Sequence, residues 1–175
     1  MKKIVAMVGS LSSKSANLTV VEHIAGISSD RFSLDQYDGI RHLPQFNPDF
    51  ETDSPPMDVV KLRRTIANAD GVLICTPEYV FGVPGALKNA LDWTVSTTLF
   101  REKPVAVIIA SLSGEKAFES LLLTLKTLEA KISDGCALLI SHIKAKIGPD
   151  GKINHEQTLA DLNALVDSFA RSLSE

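Results

Sequence analysis

Ile4-Val5-Ala6-Met7-Val8-Gly9-Ser10-Leu11-Ser12-Ser13-Lys14-Ser15-Ala16-Asn17 stands almost at the start of the chain. Five apolar residues stop at a glycine, a hydroxyl-rich turn follows, and Leu18, Val21, Ile24 and Ala25 then recur at helical spacing. The stretch therefore predicts a strand that passes through a short loop into a helix. Its apolar run is continuous rather than alternating. That pattern suits a strand buried on both faces, as in a parallel sheet covered by helices.

The same alternation continues along the chain. Compact apolar runs at 32–34, 72–75, 105–110 and 137–140 predict four more strands. Helical periods separate and follow them: Val59, Leu62, Ile66; Leu87, Ala90, Leu91, Thr94; Phe118, Leu121, Leu122, Leu125, Leu128; and Leu159, Leu162, Val166, Phe169. Asn154 with Gln157 predicts a capping box at the start of the last helix, and Pro84 predicts a first-turn proline in the third. Strict alternation with right-handed crossovers predicts one three-layer α/β domain over 1–175, with a five-stranded doubly wound sheet of order 2-1-3-4-5. In that order the first and third strands are neighbours whose helices leave on opposite faces, so a crevice opens at their carboxyl ends. Function is expected in the loops after Val8, Cys75 and Ala110.

Composition narrows the function. The 175 residues are 45% hydrophobic and 22% charged, with 18 basic and 21 acidic residues and a net charge of -3. No Lys/Arg block exceeds two, so the footprint of duplex nucleic-acid binding is missing. The apolar runs are far shorter than the roughly 20 residues of a membrane span, and the apolar start breaks too early for a signal peptide. A cytoplasmic location away from membranes is the expectation. Cys75 and Cys136 form no CxxC and are expected as buried thiols too far apart for a disulfide. His23, His42, His142 and His155 show no metal-ligand spacing and are expected to be structural or solvent-facing.

The first loop has neither GxGxxG nor the P-loop pattern, which argues against a dinucleotide or a triphosphate at that point. Ser10, Ser12, Ser13 and Ser15, with Asn17 and Lys14, instead suit a single terminal phosphate at a helix N-terminus. In the second loop, prolines and glycines constrain the backbone around Tyr79 and Phe81, whose flat surfaces suit a planar ligand. Glu78 has no visible acid/base partner and is expected to make a capping or structural hydrogen bond. Trp93 is expected in the core or a subunit contact. In the third loop, Ser111-Leu112-Ser113-Gly114-Glu115, Ser113 is a candidate N-cap, and the helix amides behind it are candidates to stabilise negative charge on a bound ring.

Gly9-Ser10-Leu11 with Ser15 and Asn17, then Pro77-Glu78-Tyr79, Pro84-Gly85, Leu87-Lys88-Asn89-Ala90 and Asp92-Trp93, together resemble the NADPH-dependent FMN reductase family of flavodoxin-like proteins. The resemblance implies a flavodoxin-like three-layer sandwich with noncovalent FMN. Its phosphate is implied on Ser10, Ser15 and Asn17, and its ring against 77–82 and 111–114. The implied cofactor-binding set is Ser10, Ser12, Lys14, Ser15, Ala16 and Asn17; Pro77, Glu78, Tyr79, Val80, Phe81 and Gly82; and Ser111, Ser113 and Gly114. NADPH or NADH would deliver hydride to the flavin, which passes electrons to a free flavin, quinone, azo compound or metal oxyanion. No side chain need be catalytic and no metal is implied. Homodimers or homotetramers are implied too, with the third helix and the stretch after Trp93 as the contact.

This chain departs from the family pattern at three places. Ser12 stands where many members carry Arg, and Lys14 offers a point charge in place of a bidentate fork. Val80 stands where many carry Asn, and Ala117 and Phe118 where many carry paired glycines. A flavin-binding electron carrier without direct NAD(P)H activity and a cofactor-free member of the fold stay open as alternatives.

Overall fold

The computed structural model describes residues 1–50 and 54–174. The elements alternate as the sequence predicts: β1 (Lys2–Val8), α1 (Ala16–Ile27), β2 (Phe32–Gln36), α2 (Met57–Asn68), β3 (Gly71–Thr76), α3 (Gly85–Asp92), β4 (Val105–Ala110), α4 (Glu115–Thr127), β5 (Ala137–Ile140) and α5 (Glu156–Ser172). The five strands form one sheet of order β2-β1-β3-β4-β5, and every neighbouring pair is parallel. This is the doubly wound, flavodoxin-like order.

The continuous apolar runs follow from two-sided burial. Ile4, Ala6, Val8, Leu73, Cys75, Ala106 and Ile108 face α1 and α5, packing with Val20, Ile24, Leu162, Val166 and Phe169. The alternate residues Val5, Met7, Val72, Ile74, Val105, Val107 and Ile109 face α2, α3 and α4, packing with Leu62, Ile66, Leu87, Leu91, Leu121 and Leu125. Successive strand residues point to opposite faces, so both sets must be apolar. Each fully buried Leu or Ile contributes about 1.5–3 kcal/mol relative to exposure.

Residues 37–56 contain two short 3-10 helices, Asp38–His42 and Pro48–Phe50, and are otherwise irregular where described. Two residues of the Leu87–Trp93 motif hold this segment. Asn89 accepts from the Phe46 amide and donates to the Pro44 carbonyl, and the fully buried Trp93 donates its indole N–H to the same carbonyl at 2.8 Å. The motif thereby fastens the proline-rich loop at Pro44 and Phe46. Both cysteines are buried thiols, as expected.

Three expected helix starts are corrected. His155, not Asn154, caps α5: its Nδ1 accepts from the Thr158 amide, while Gln157 turns along the helix to Asp161 and the Asn154 amide is engaged by the Lys146 carbonyl. Pro84 takes the cap position of α3, with ψ 135°, and Gly85 is the first helical residue. Gly114, at φ 113°, precedes α4 in the place expected for Ser113. A left-handed backbone favours glycine there.

Candidate functional site

The close approach of β1 and β3 creates the crevice. The Gly9 amide donates to the Cys75 carbonyl at 2.9 Å, and a Cβ at Gly9 would fall 2.6 Å from the Thr76 Cβ. Only a residue without a side chain lets β1 end so near β3 and turn outward. The chain beyond Gly9 becomes one wall of a cavity of about 540 Å³, within the usual range for small-molecule and cofactor sites.

The serines of that wall share one arrangement. Ser10 Oγ accepts from the Ser12 amide, Ser12 Oγ from the Lys14 amide and Ser15 Oγ from the Asn17 amide, at 3.4, 3.3 and 3.2 Å. Each hydroxyl oxygen is thus engaged by backbone two residues on; Ser10 Oγ also lies 3.5 Å from the Tyr79 hydroxyl, and the O–H groups of Ser12 and Ser15 remain donors for a ligand. Ser15 is the N-cap of α1, and the first turn of that helix carries no acidic residue. The positive end of α1 is left for an external anion. Asn17 is buried beneath it: its Nδ2 donates to the Ala110 carbonyl and its Oδ1 accepts from the Cys75 thiol. Asn17 therefore braces the floor by joining α1 to β3 and β4, and burial pushes the Cys75 thiol pKa up. Ser13 is exposed and does not line the cavity.

The α4 end behaves differently. Glu78 Oε2 accepts the Ala117 amide and Oε1 the Ser113 hydroxyl, both at 2.9 Å. The Ala117 amide chiefly, with Ser113 and the Lys116 and Gly114 amides adding to it, holds the Glu78 carboxyl below the ordinary carboxylate range. Glu78 makes the structural hydrogen bond expected of it. The expectation that the α4 amides would face a bound ring is corrected, because the protein's own carboxylate already occupies them. The Glu78 amide is in turn fixed by Ser111 Oγ at 3.1 Å.

Of the sequence-predicted residues, the fold brings Ser10, Ser12, Lys14, Ser15, Ala16, Asn17, Pro77, Glu78, Tyr79 and Ser111 around the cavity. Val80, Phe81, Gly82, Ser113 and Gly114 stand outside its lining. Val80 and Phe81 form the tip of a two-residue turn closed by reciprocal Tyr79 and Gly82 backbone hydrogen bonds. Both have left-handed φ, 50° and 56°, and their side chains are 98% and 78% exposed. Such a turn favours Asn-Gly, and a β-branched valine there costs on the order of 1–2 kcal/mol.

One wall was absent from the sequence reading. His142, Ile143, Lys144 and Ala145, directly after β5, line the same cavity as Ser10 and Lys14. His142 itself has φ 56°, and its amide and that of Ile143 donate to the Leu112 and Ser111 carbonyls, which joins this turn to the third loop. A basic His-Ile-Lys-Ala-Lys run after a predicted strand end was the available signal. His142 is solvent-facing, as expected, and its exposed side stands at the cavity rim.

A sequence profile of NADPH-dependent FMN reductases matches residues 2–145, most of the chain. The chain belongs to the NADPH-dependent FMN reductase family. It is similar to a 2-hydroxy-1,4-benzoquinone reductase of a Burkholderia species, 32% identical over 174 residues that cover 96% of this chain and 94% of the relative. It is also similar to subunit 2 of an NADH-dependent flavin reductase of Lactobacillus johnsonii, 27% identical with 99% of this chain and 98% of the relative covered. Among solved structures, the flavoenzyme NAD(P)H:(acceptor) oxidoreductase of Paracoccus denitrificans superposes with a TM-score of 0.80 at 27% identity, covering 99% of this chain and 98% of that one.

For an FMN reductase the cofactor is FMN and the reductant NAD(P)H, and the donor set fits that cofactor. The acid-free, hydroxyl-lined α1 end suits a phosphate, and Pro77, Tyr79 and Leu112 supply apolar wall for a flat ring. Lys14 lines the cavity, so a cation is present despite Ser12 in the place of the family's arginine. Val80 points to solvent, so its substitution removes no side chain from the cavity.

Proposed function

We propose that the cavity holds FMN with its phosphate at Ser10, Ser12, Ser15 and Lys14 before α1, and that the protein uses NAD(P)H to reduce a quinone. The overall change is NAD(P)H + H⁺ + quinone → NAD(P)⁺ + hydroquinone. The bound flavin supplies the hydride chemistry. The protein's part is to bind, orient and exclude water. Ser10, Ser12 and Ser15 donate to phosphate oxygens, Asn17 braces the floor beneath them, and Glu78 keeps the α4 terminus closed so that loop 111–114 stays in place. The observation that carries the reading is the three-serine turn opening, with no acid in the first turn of α1, into the cavity that Pro77 and Tyr79 wall.

The named activity of the Burkholderia relative supports a quinone as acceptor. Residues 1–175 act as one FMN-binding domain on this reading. Purified protein should show an oxidised-flavin visible spectrum that bleaches under anaerobic NADPH or NADH and returns when a quinone is added. A bound flavin that stays oxidised overturns the proposal.

The exposed Tyr79, Val80, Phe81 and Val95 are the surface we assign to a second copy of the chain, in a homodimer or homotetramer. Light scattering on the holoprotein tests this, and a monomer at micromolar concentration rejects it. We place the protein in the cytoplasm. No helix among the described residues is long and apolar enough to cross a membrane.

A further inference from the structure

The cavity has more basic character than one phosphate requires. Lys14 stands on the wall before α1, whereas His142 and Lys144 stand on the turn after β5. None of the three is in an ion pair among the described residues. The carboxylate in the lining, Glu78, is committed to Ser113 and the α4 amides. An ammonium and an imidazole therefore line the cavity, where the carboxylate of the lining is held by other donors. The turn that carries them is held in place, since His142 and Ile143 donate to the third loop and Ser141 Oγ donates to the Ser113 carbonyl. Hydrogen-bond donors on a fixed backbone, beside the apolar Ile143 and Ala145, are an arrangement for orienting a ligand.

We propose that Lys144 and His142 form an acceptor subsite that selects a planar quinone bearing an anionic oxygen, such as a hydroxyquinone, over its neutral counterpart. This rests on the reading of the cavity as the FMN site. A hydroxyl on a quinone ring is a vinylogous carboxylic acid and is ionised at neutral pH. Its oxygen accepts from Lys144 Nζ and the imidazole N–H, and charge-assisted hydrogen bonds of this kind are the stronger ones. The same donors stabilise the negative charge that develops on a quinone oxygen as it takes up hydride. Lys14, at the α1 end, stays with the phosphate.

The test uses the FMN-loaded protein and the variants Lys144→Met, Lys144→Arg and His142→Gln. Benzoate and its neutral isostere benzamide are titrated against the flavin absorption band, and steady-state constants are taken for 2-hydroxy-1,4-benzoquinone and 1,4-benzoquinone. The preference for benzoate over benzamide should fall about tenfold in Lys144→Met and several-fold in His142→Gln, and Lys144→Arg should recover most of it. The KM ratio of the two quinones should fall in parallel.

An unchanged preference in a flavin-loaded, active variant overturns the subsite alone. So does wild-type protein that binds benzoate no better than benzamide. A change confined to the NADPH-to-NADH ratio overturns it in favour of the nicotinamide 2′-phosphate. A loss of FMN affinity with riboflavin affinity retained overturns it in favour of the flavin's own phosphate. Wild-type protein that holds no FMN, or whose FMN is not reduced by NAD(P)H, fails before any variant is made and removes the parent reading with it.

Discussion

Glu78, two residues past the end of β3, accepts the backbone amide of Ala117 at 2.9 Å and thereby caps a helix 39 residues further along the chain. The two helix ends at the crevice are consequently unlike. The α4 terminus is neutralised from within, and the α1 terminus has only the neutral Ser15 as its cap.

Glu78→Gln should lower stability at pH 7 by about 1 kcal/mol, because its charge-assisted bonds weaken while the side chain keeps its shape. The folded-state pKa of Glu78 lies below its unfolded value, so the charge-dependent stabilisation is present above the ordinary carboxylate pKa and is lost as pH falls through the folded one. Urea unfolding of both proteins should show their difference narrowing under acid. A difference that is constant from pH 7 to 3 contradicts the capping role.

Val80→Asn with Phe81→Gly should stabilise the protein by about 1–2 kcal/mol, since both positions have left-handed φ and neither side chain is buried. The denaturation midpoint reports it under conditions where the chain is monomeric. A midpoint that stays put or drops rules out strain in the turn.

Gly9→Ala should destabilise by about 1–3 kcal/mol and loosen flavin binding, because the new methyl meets the Thr76 side chain and the β1 and β3 ends must separate. Calorimetric Tm and the FMN dissociation constant should move together. Retention of both at wild-type values shows that the strands have room to spare.

Ser15→Ala should cost about 1 kcal/mol through loss of the α1 cap and, on the proposed placement of the phosphate at this hydroxyl, should weaken FMN several-fold while leaving riboflavin affinity nearly the same. Parallel fluorescence titrations with the two flavins separate the effects. Equal weakening of both points to a general loss of the loop.

The fold was legible because its determinants are local. Continuous apolar runs such as 105–110 announce a strand covered on both faces, helical spacing announces the covering helices, and handedness leaves few ways to order them. The first loop was legible for the same reason: Ser10, Ser12 and Ser15 each bond an amide two residues away. The serine cap of α4 was misplaced because its true cap, Glu78, comes from another loop. The cavity wall at His142 and Lys144 was missed because the basic run after β5 does not show by itself which loops it meets; that is decided by the bonds of His142 and Ile143 to the loop after β4.

Periodicity and connectivity thus specified the sheet order, the crevice between β1 and β3, and the anion-ready end of α1, since each depends on residues a few positions apart. Tertiary packing alone decided which helix end stays open, that Asn17 braces β3 and β4, and that a basic turn closes the cavity. Those outcomes depend on hydrogen bonds between residues 28 to 93 positions apart, whose partners are brought together only when the chain folds.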